Sequence, residues 1–358
     1  MAKLNRRKLL FGGITAGISA SAVAQSVHAQ SAQSNRIPAK SQTTDETIEA
    51  IFGAEGDSSS PKRTLSGQAL TSPKIAYDRA ISKVLIQCSQ IGMEQFEKKR
   101  REPRYDGSIR VLQNYTDALN RYTQIATFNV SLDATTTLLT NLSAVGNQIA
   151  RRVVRPTAAF IGFALTSETH NIIVFRGTSN PKEWLANFQA SQSDYVQSGV
   201  TRGRVHTGFL RLYNQLSDQV RSAANRFNPA LPCFVVGHSL GGALATLATA
   251  DLAQNSALKN QLRLYSYAAP RVGDQSFAQF FSTISPNSYR IINLTDIVPT
   301  VPPANIRGQQ YSHTGQEWVF LDYAAGEVGL SHTISLYKSA IDRQVETDRL
   351  PTFPTACQ

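Results

Sequence analysis

Val235-Val236-Gly237-His238-Ser239-Leu240-Gly241-Gly242 joins a short apolar run to a stretch of small residues. Its centre has the G-x-S-x-G form of a nucleophile elbow, where a strand turns so sharply into a helix that the serine takes a strained backbone conformation. Side chains larger than glycine beside that serine would collide with the neighbouring strand and helix. Cys233 to Val236 supplies the buried strand, and Gly242-Ala243-Leu244-Ala245-Thr246-Leu247-Ala248 starts a helix small enough to lie flush on a sheet. The pentapeptide alone is common, and a glycine-rich turn with a capping serine would give the same letters. The flanking strand and helix make Ser239 the candidate nucleophile.

The surroundings carry the same alternation. Phe160 to Leu165 and Ile172 to Phe175 read as adjacent strands joined by a polar turn at 168–171. A helix is predicted from Gly208 to Phe227, with Phe209, Leu212, Tyr213, Leu216 and Val220 on one face. After the elbow come a strand over Leu262–Tyr267, a helix over Phe277–Phe281 and a strand over Tyr289–Leu294. Trp318–Leu321 is the last strand, and a helix over His332–Ile341 closes the pattern. Strands alternating with helices imply an α/β protein with a mainly parallel sheet. Upstream, apolar residues at helical spacing predict a helix over Ile75–Phe96, while 105–155 mixes short helical and extended signals without a clear order.

A serine hydroxyl needs a histidine to take its proton and a carboxylate to orient that histidine. On a hydrolase sheet these follow the serine in the order acid, then base. Asp296 fits the acid: it follows the apolar run Tyr289–Leu294 directly, and the prolines at 299, 302 and 303 fix the loop behind it. Asp274 reads instead as the cap of the next helix, and Asp322 as a strand-ending turn. Chain order leaves two histidines for the base, His313 before the last strand and His332 after it. The position after the last strand favours His332, with His313 as a hydrogen-bonded core residue. His238, next to the serine, is expected to point elsewhere. For the oxyanion, one donor is the backbone N–H of Leu240 and the other comes from the loop Phe175-Arg176-Gly177-Thr178, where Thr178 offers both N–H and hydroxyl. Taken alone, that loop reads as an ordinary strand-ending turn.

Together these segments resemble the class 3 lipase family, the fungal-type lipases of the α/β-hydrolase fold. The resemblance covers roughly Phe160 to Tyr337 and runs through I-V-F-R-G-T at 173–178, V-H-T-G-F at 205–209, G-H-S-L-G-G at 237–242, A-P-R-V-G-D at 269–274, D-I-V-P at 296–299 and Y-S-H-T-G-Q-E at 311–317. It implies Ser239, Asp296 and His332 as a triad, and Thr178 and Leu240 as the oxyanion hole. It also implies a lid after the oxyanion residue, where Trp184, Leu185 and Phe188 fit either an amphipathic lid turn or ordinary core packing. The motif before the base reads Ser331-His332-Thr333, where many relatives place an acid before the histidine.

The implied activity is that of a secreted serine esterase on acyl esters of lipids. A triacylglycerol lipase, a phospholipase or galactolipase A1 and a feruloyl-type esterase all share the scaffold. An inactive hydrolase-fold binding module is the reading from another class, and the presence of every triad member argues against it. No cofactor is implied, and no C-x-x-C or His/Cys cluster suggests a metal. The partner is an acyl-ester substrate, with transient contact at a lipid surface; the number of subunits is left open.

The chain ends read separately. Asn5-Arg6-Arg7-Lys8-Leu9-Leu10 and the weakly apolar run after it resemble a twin-arginine export signal over 1–29, cleaved at Val27-His28-Ala29 or Ala22-Val23-Ala24, with a periplasmic or extracellular destination; an uncleaved N-terminal anchor is the other reading. Residues 30–72 read as a disordered spacer, 73–345 as the hydrolase domain with its motifs in 158–340, and 346–358 as a tail. The net charge is +11, of which Lys3, Arg6, Arg7 and Lys8 supply four within the first ten residues. The rest is basic without an arginine-rich helix, which argues against nucleic acid and leaves a mild attraction to anionic lipid. Lys98-Lys99-Arg100-Arg101 reads as a solvated helix end. Cys233 is expected to be buried, and a Cys88–Cys357 pairing stays open.

Overall fold

Runs of Val, Ile, Phe and Leu with no polar face can form strands only where both faces of a sheet are covered. The computed structural model describes residues 73–131, 158–179, 190–322 and 329–343. The export signal, the spacer and the tail lie outside the described residues, as do Trp184, Leu185, Phe188 and Cys357. Helix α1 (Arg79–Arg101) is followed by strands β1 (Thr123–Val130), β2 (Ala159–Thr166) and β3 (Asn171–Phe175), then by the hairpin β4 (Gln192–Gln197) and β5 (Val200–His206). Helices α2 (Thr207–Asn214) and α3 (Ser217–Ala224) lead to β6 (Cys233–His238), α4 (Leu240–Asn255) and β7 (Leu262–Tyr267). Helix α5 (Gln275–Ile284), β8 (Tyr289–Asn293), the short pair β9 (Asn305–Ile306) and β10 (Gln309–Gln310), β11 (Gln316–Phe320) and α6 (Ile334–Arg343) complete the order.

Among the described residues one seven-stranded sheet has the order β1-β2-β3-β6-β7-β8-β11. Neighbours from β3 to β11 run parallel, and β1 and β2 add an antiparallel edge. This is the α/β-hydrolase arrangement, a mainly parallel sheet flanked by helices. Ile172, Val174, Phe234 and Val236 point to one face, where they share a core with Leu85 and Ile91 of α1 and Tyr337 and Ile341 of α6. Helix α4 packs on β6 and β7 and is buried from Leu240 to Ala253. A helix so placed must be apolar all round. Its threonines return their hydroxyls to the helix, Thr246 Oγ1 to Gly242 O at 2.9 Å and Thr249 Oγ1 to Ala245 O at 2.8 Å. Its one buried acid, Asp251, is paired with Arg221 at 2.7 Å and accepts from the Tyr213 hydroxyl at 2.6 Å. Each leucine buried there contributes about 1.5–3 kcal/mol.

Helix α1 is capped by Asp78, whose side chain accepts from Ile81 N at 3.0 Å. Lys98 to Arg101 occupy its last turn, where positive charge complements the helix dipole, and Lys98 pairs with Glu102 and Arg100 with Glu97. The basic cluster is a solvated helix end. Asp274 caps α5 through Phe277 N at 2.8 Å.

Two expectations need correction or completion. The helix predicted over Gly208–Phe227 is two helices, α2 and α3. Ser217 Oγ turns back to Asn214 O at 3.1 Å and Leu216 N bonds Tyr213 O, which tightens the chain and ends the first helix. The apolar face is right, for Phe209, Leu212, Tyr213, Leu216 and Val220 are all buried. The unordered stretch 105–155 supplies an edge strand, β1, with short 3-10 turns before it. The β4–β5 hairpin turns at Ser198-Gly199, both at positive φ (50° and 76°), a geometry that matches the twist of a two-residue hairpin. Cys88 and Cys233 are buried and unpaired among the described residues.

Candidate functional site

Ser239 stands between β6 and α4 with φ 58° and ψ −128°, a conformation that a residue with a side chain adopts only under constraint. The constraint is the close approach of strand and helix. A Cβ on Gly237 would lie 2.2 Å from Gly241 C and O, and one on Gly241 would lie 2.3 Å from Phe175 O. Both glycines of the pentapeptide are therefore dictated by backbone contact. Helix α4 begins at Leu240, directly after the serine. The first N–H groups of a helix have no intrahelical acceptor, so the Leu240 N–H is a donor at the serine.

Asp296 follows β8 and a 3-10 turn, Val298–Thr300, fixes the chain behind it. Its carboxylate is buried and fully engaged. Oδ1 accepts from Val298 N at 2.9 Å, and Oδ2 takes both His332 Nδ1 and the Tyr337 hydroxyl at 2.8 Å. With Nδ1 carrying the proton toward Asp296, Nε2 of His332 is left as an acceptor. Neither that Nε2 nor Ser239 Oγ, both buried, has a hydrogen-bond partner among the described residues. Such nucleophile–base bonds are commonly long before substrate binds. His332 ends a 3-10 turn, Leu330–His332, and α6 begins at Ile334, two residues later than the sequence suggests.

His238 does not point elsewhere. Its ring lies 4.7 Å, centroid to centroid, from that of His332, at an interplanar angle of 40°. Burial, reinforced by the neighbouring His332, pushes its pKa well below 6.5, so it faces the base as a neutral ring. His313 is set apart. It adjoins Arg290 and Arg271 and bonds the backbone at Pro299, and burial with those cations pushes its pKa well below 6.5. It lines a cavity of about 290 Å³ with Arg290 and Glu317, away from Asp296. Thr178 is buried in the loop after β3. The loop runs beside the elbow, for a Cβ on Gly177 would lie 3.3 Å from Ser239 Cβ.

The structure thus gathers Ser239, Asp296, His332, Thr178 and Leu240. Tyr337 was missed, although it shares with Ile341 the i,i+4 spacing of a buried helix face, because a tyrosine on such a face reads as core. Among the described residues no group of three or more His, Cys, Asp or Glu is placed to hold a metal ion, and no helix is long and apolar enough to cross a membrane.

Residues 172–306 match the family model described as lipase (class 3). The chain is 35% identical over 170 residues to the secreted mono- and diacylglycerol lipase 1 of Fusarium solani, covering 47% of this chain and 48% of that protein. It is 35% identical over 161 residues to a lipase of Rhizomucor miehei, covering 44% and 43%. Against phospholipase A1-II 4 of Oryza sativa subsp. japonica it is 29% identical over 167 residues, covering 40% and 42%. The chain thus spans less than half the length of each of these relatives. Among solved structures it resembles the lipase of Rhizopus microsporus var. chinensis, with a TM-score of 0.49 and 24% identity over 73% of this chain and 86% of that one. The stretch that resembles the class 3 lipase family, residues 172–306, holds the elbow at Ser239, the loop at Thr178 and Asp296.

Proposed function

We propose that the protein is a serine carboxylester hydrolase acting on acyl esters of lipids, with Ser239 as nucleophile, His332 as general base and acid, and Asp296 as its orienting carboxylate. The observation that carries this is the buried 2.8 Å bond from His332 Nδ1 to Asp296 Oδ2, with the His332 ring against His238, the neighbour of Ser239 at its strained elbow. His332 Nε2 takes the hydroxyl proton as Ser239 Oγ attacks the ester carbonyl. The oxyanion is received by the N–H groups of Thr178 and Leu240. His332 then protonates the leaving alcohol, and water, deprotonated by the same nitrogen, releases the fatty acid from the acyl-enzyme.

The relatives named lipase, mono- and diacylglycerol lipase and phospholipase A1 support glycerolipid esters as the substrate class. A phospholipase A1 is the second reading, carried by the plant relative. Export is supported by a relative named as secreted and by Asn5-Arg6-Arg7-Lys8-Leu9-Leu10 at the N-terminus. The twin-arginine route, cleavage near Ala29, the domain limits, and a lid role for Trp184, Leu185 and Phe188 with contact at a lipid surface belong to the same proposal. The test compares wild type and Ser239→Ala on short and long acyl p-nitrophenyl esters, a triolein emulsion and phospholipid vesicles. Turnover in Ser239→Ala equal to wild type would overturn the mechanism, and the ratio of triolein to phospholipid rates chooses the substrate. Precursor accumulating in the cytoplasm when Arg6 and Arg7 become Lys is the expected result for the export route.

A further inference from the structure

Arg176 lies in the loop leaving β3, 1% exposed, with no bonded carboxylate among its hydrogen-bond partners. Its Nε donates to Phe160 O at 3.0 Å and its Nη1 to Gly177 O at 2.5 Å, while Nη2 is buried without a hydrogen-bond partner among the described residues. The guanidinium carbon stands 3.8 Å from the centroid of the Phe96 ring in α1, and Gly92 of the same helix leaves room for the arginine stem. Burial pulls its pKa down to about 9, which leaves it charged at neutral pH. A buried cation without a bonded counter-ion is costly, and an apolar side chain of similar length would relieve the cost. The charge needs a purpose.

Gly177 O is one end of a peptide unit whose other end is the N–H of Thr178. In a planar trans peptide these two groups point in opposite directions, so a donor that fixes the oxygen also fixes the N–H. A charged donor polarises the unit as well, which strengthens the N–H as a hydrogen-bond donor. The unit runs along the elbow, since a Cβ on Gly177 would lie 2.8 Å from His238 O. We propose that Arg176 is a positioning residue for the oxyanion hole: held on Phe96 and tied to Phe160 O, it clamps Gly177 O so that the Thr178 N–H is aimed at the oxyanion formed on Ser239. The inference rests on the proposed roles of Ser239 and Thr178. It also gives a task to α1, which the sequence leaves unassigned.

The test uses the full chain and two readouts, ester hydrolysis and inhibition by a long-chain alkyl trifluoromethyl ketone. Ser239 Oγ adds to the ketone carbon, its proton passes to His332 and the ketone oxygen becomes an oxyanion in the hole. In Arg176→Lys, which keeps a charge but cannot reach both carbonyls, kcat should fall about tenfold to a hundredfold with KM changed less than about threefold. Ketone affinity should weaken by the same factor as kcat/KM. Phe96→Leu, which leaves every catalytic group in place, should lose less in the same direction, and it decides the matter if Arg176→Lys does not fold. Unchanged ketone affinity in the folded variants, whatever their thermal stability, would overturn the proposal. Turnover retained by Ser239→Ala would instead remove the site assignment on which it rests.

Discussion

The hydroxyl of Tyr337 donates to Oδ2 of Asp296 at 2.8 Å and accepts from the backbone N–H of Asn293 at 3.0 Å. Burial first, and then the Asp296 charge, push the phenol pKa well above 10, so at neutral pH the tyrosine stays protonated and remains a donor. Asp296 is thus held on one oxygen by two donors and on the other by Val298 N. Tyr337→Phe removes one donor and keeps the ring against Phe320, whose centroid is 5.0 Å away. Stability should fall by about 1–3 kcal/mol, because Asp296 loses a buried partner. We expect kcat to fall about tenfold with little change in KM. A variant with wild-type kcat would show that Val298 N and His332 alone suffice to hold the acid.

The two candidate bases separate by geometry, His332 on Asp296 and His313 beside Arg290 and Arg271. His332→Ala should lower kcat by at least about a thousandfold without unfolding the protein. His313→Ala should lower the melting temperature and leave kcat per folded molecule within about threefold. Equal losses of turnover would remove the assignment of the base.

The elbow leaves no room for a methyl group. Gly241→Ala places a Cβ about where Phe175 O already stands, at 2.3 Å. Either β3 or α4 must shift, and the loss should be about 3 kcal/mol or more. Chemical denaturation of the purified variant measures it, and a change below about 1 kcal/mol would mean that the elbow relaxes freely.

His170 is buried between the Tyr122 hydroxyl, Thr169 Oγ1 at 2.9 Å and the ring of Phe234. Burial, then Arg121 and Arg263, bring its pKa from 6.5 to about 4. The folded protein refuses a proton that the unfolded chain accepts. The contribution of His170 is therefore fully present above about pH 6.5 and is lost as the pH falls toward 4. In His170→Gln, stability should decline less between about pH 7 and pH 4 than in wild type, by on the order of 2 kcal/mol. Parallel declines would assign the acid sensitivity to other groups.

Asp251 tests the opposite case, a buried acid remote from the chemistry. Asp251→Asn breaks the pair with half-exposed Arg221 and weakens the bond from Tyr213. It should cost roughly 2–3 kcal/mol by denaturation while kcat per folded molecule is unchanged. A fall in kcat would connect the far end of α4 to the elbow at its start.

The proposed catalytic groups stand out in the sequence because each sits at a place where the chain must break its pattern. Ser239 interrupts strand and helix, Asp296 follows an apolar run into prolines, and His332 follows the last strand. The sheet centre was legible for a related reason, since β3 and β6 carry the unbroken apolar runs Ile172–Phe175 and Cys233–Val236. Supporting residues were not. Tyr337 and Arg176 act through side-chain contacts between elements far apart in sequence, and a buried helix face or a strand end gives no sign of them. The break at Leu216 escaped because the apolar period runs through it. Edge strand β1 is buried mainly at Phe128 and Val130, so its period is weak. The β4–β5 hairpin is mostly polar, and only Ser198-Gly199 announces its turn.

Helix α1 touches both halves of the site. Near its end Phe96 holds Arg176 beside the oxyanion loop, while at its start Arg79 donates to the carbonyls of Ile341 and Asp342 at the end of α6. In between, Ser82 shares hydrogen bonds with the hydroxyl of Tyr267 in β7, the strand beside the elbow. Its 23 residues, about 34 Å of helix, therefore moor the oxyanion loop, the sheet and the helix that carries Tyr337 to a single strut. If the proposed roles of Thr178 and His332 hold, a molecule that loses α1 loses its anion cradle and its proton relay in one event. Heating should therefore extinguish turnover in a single step, with no population that still binds the ester yet has forgotten how to cleave it.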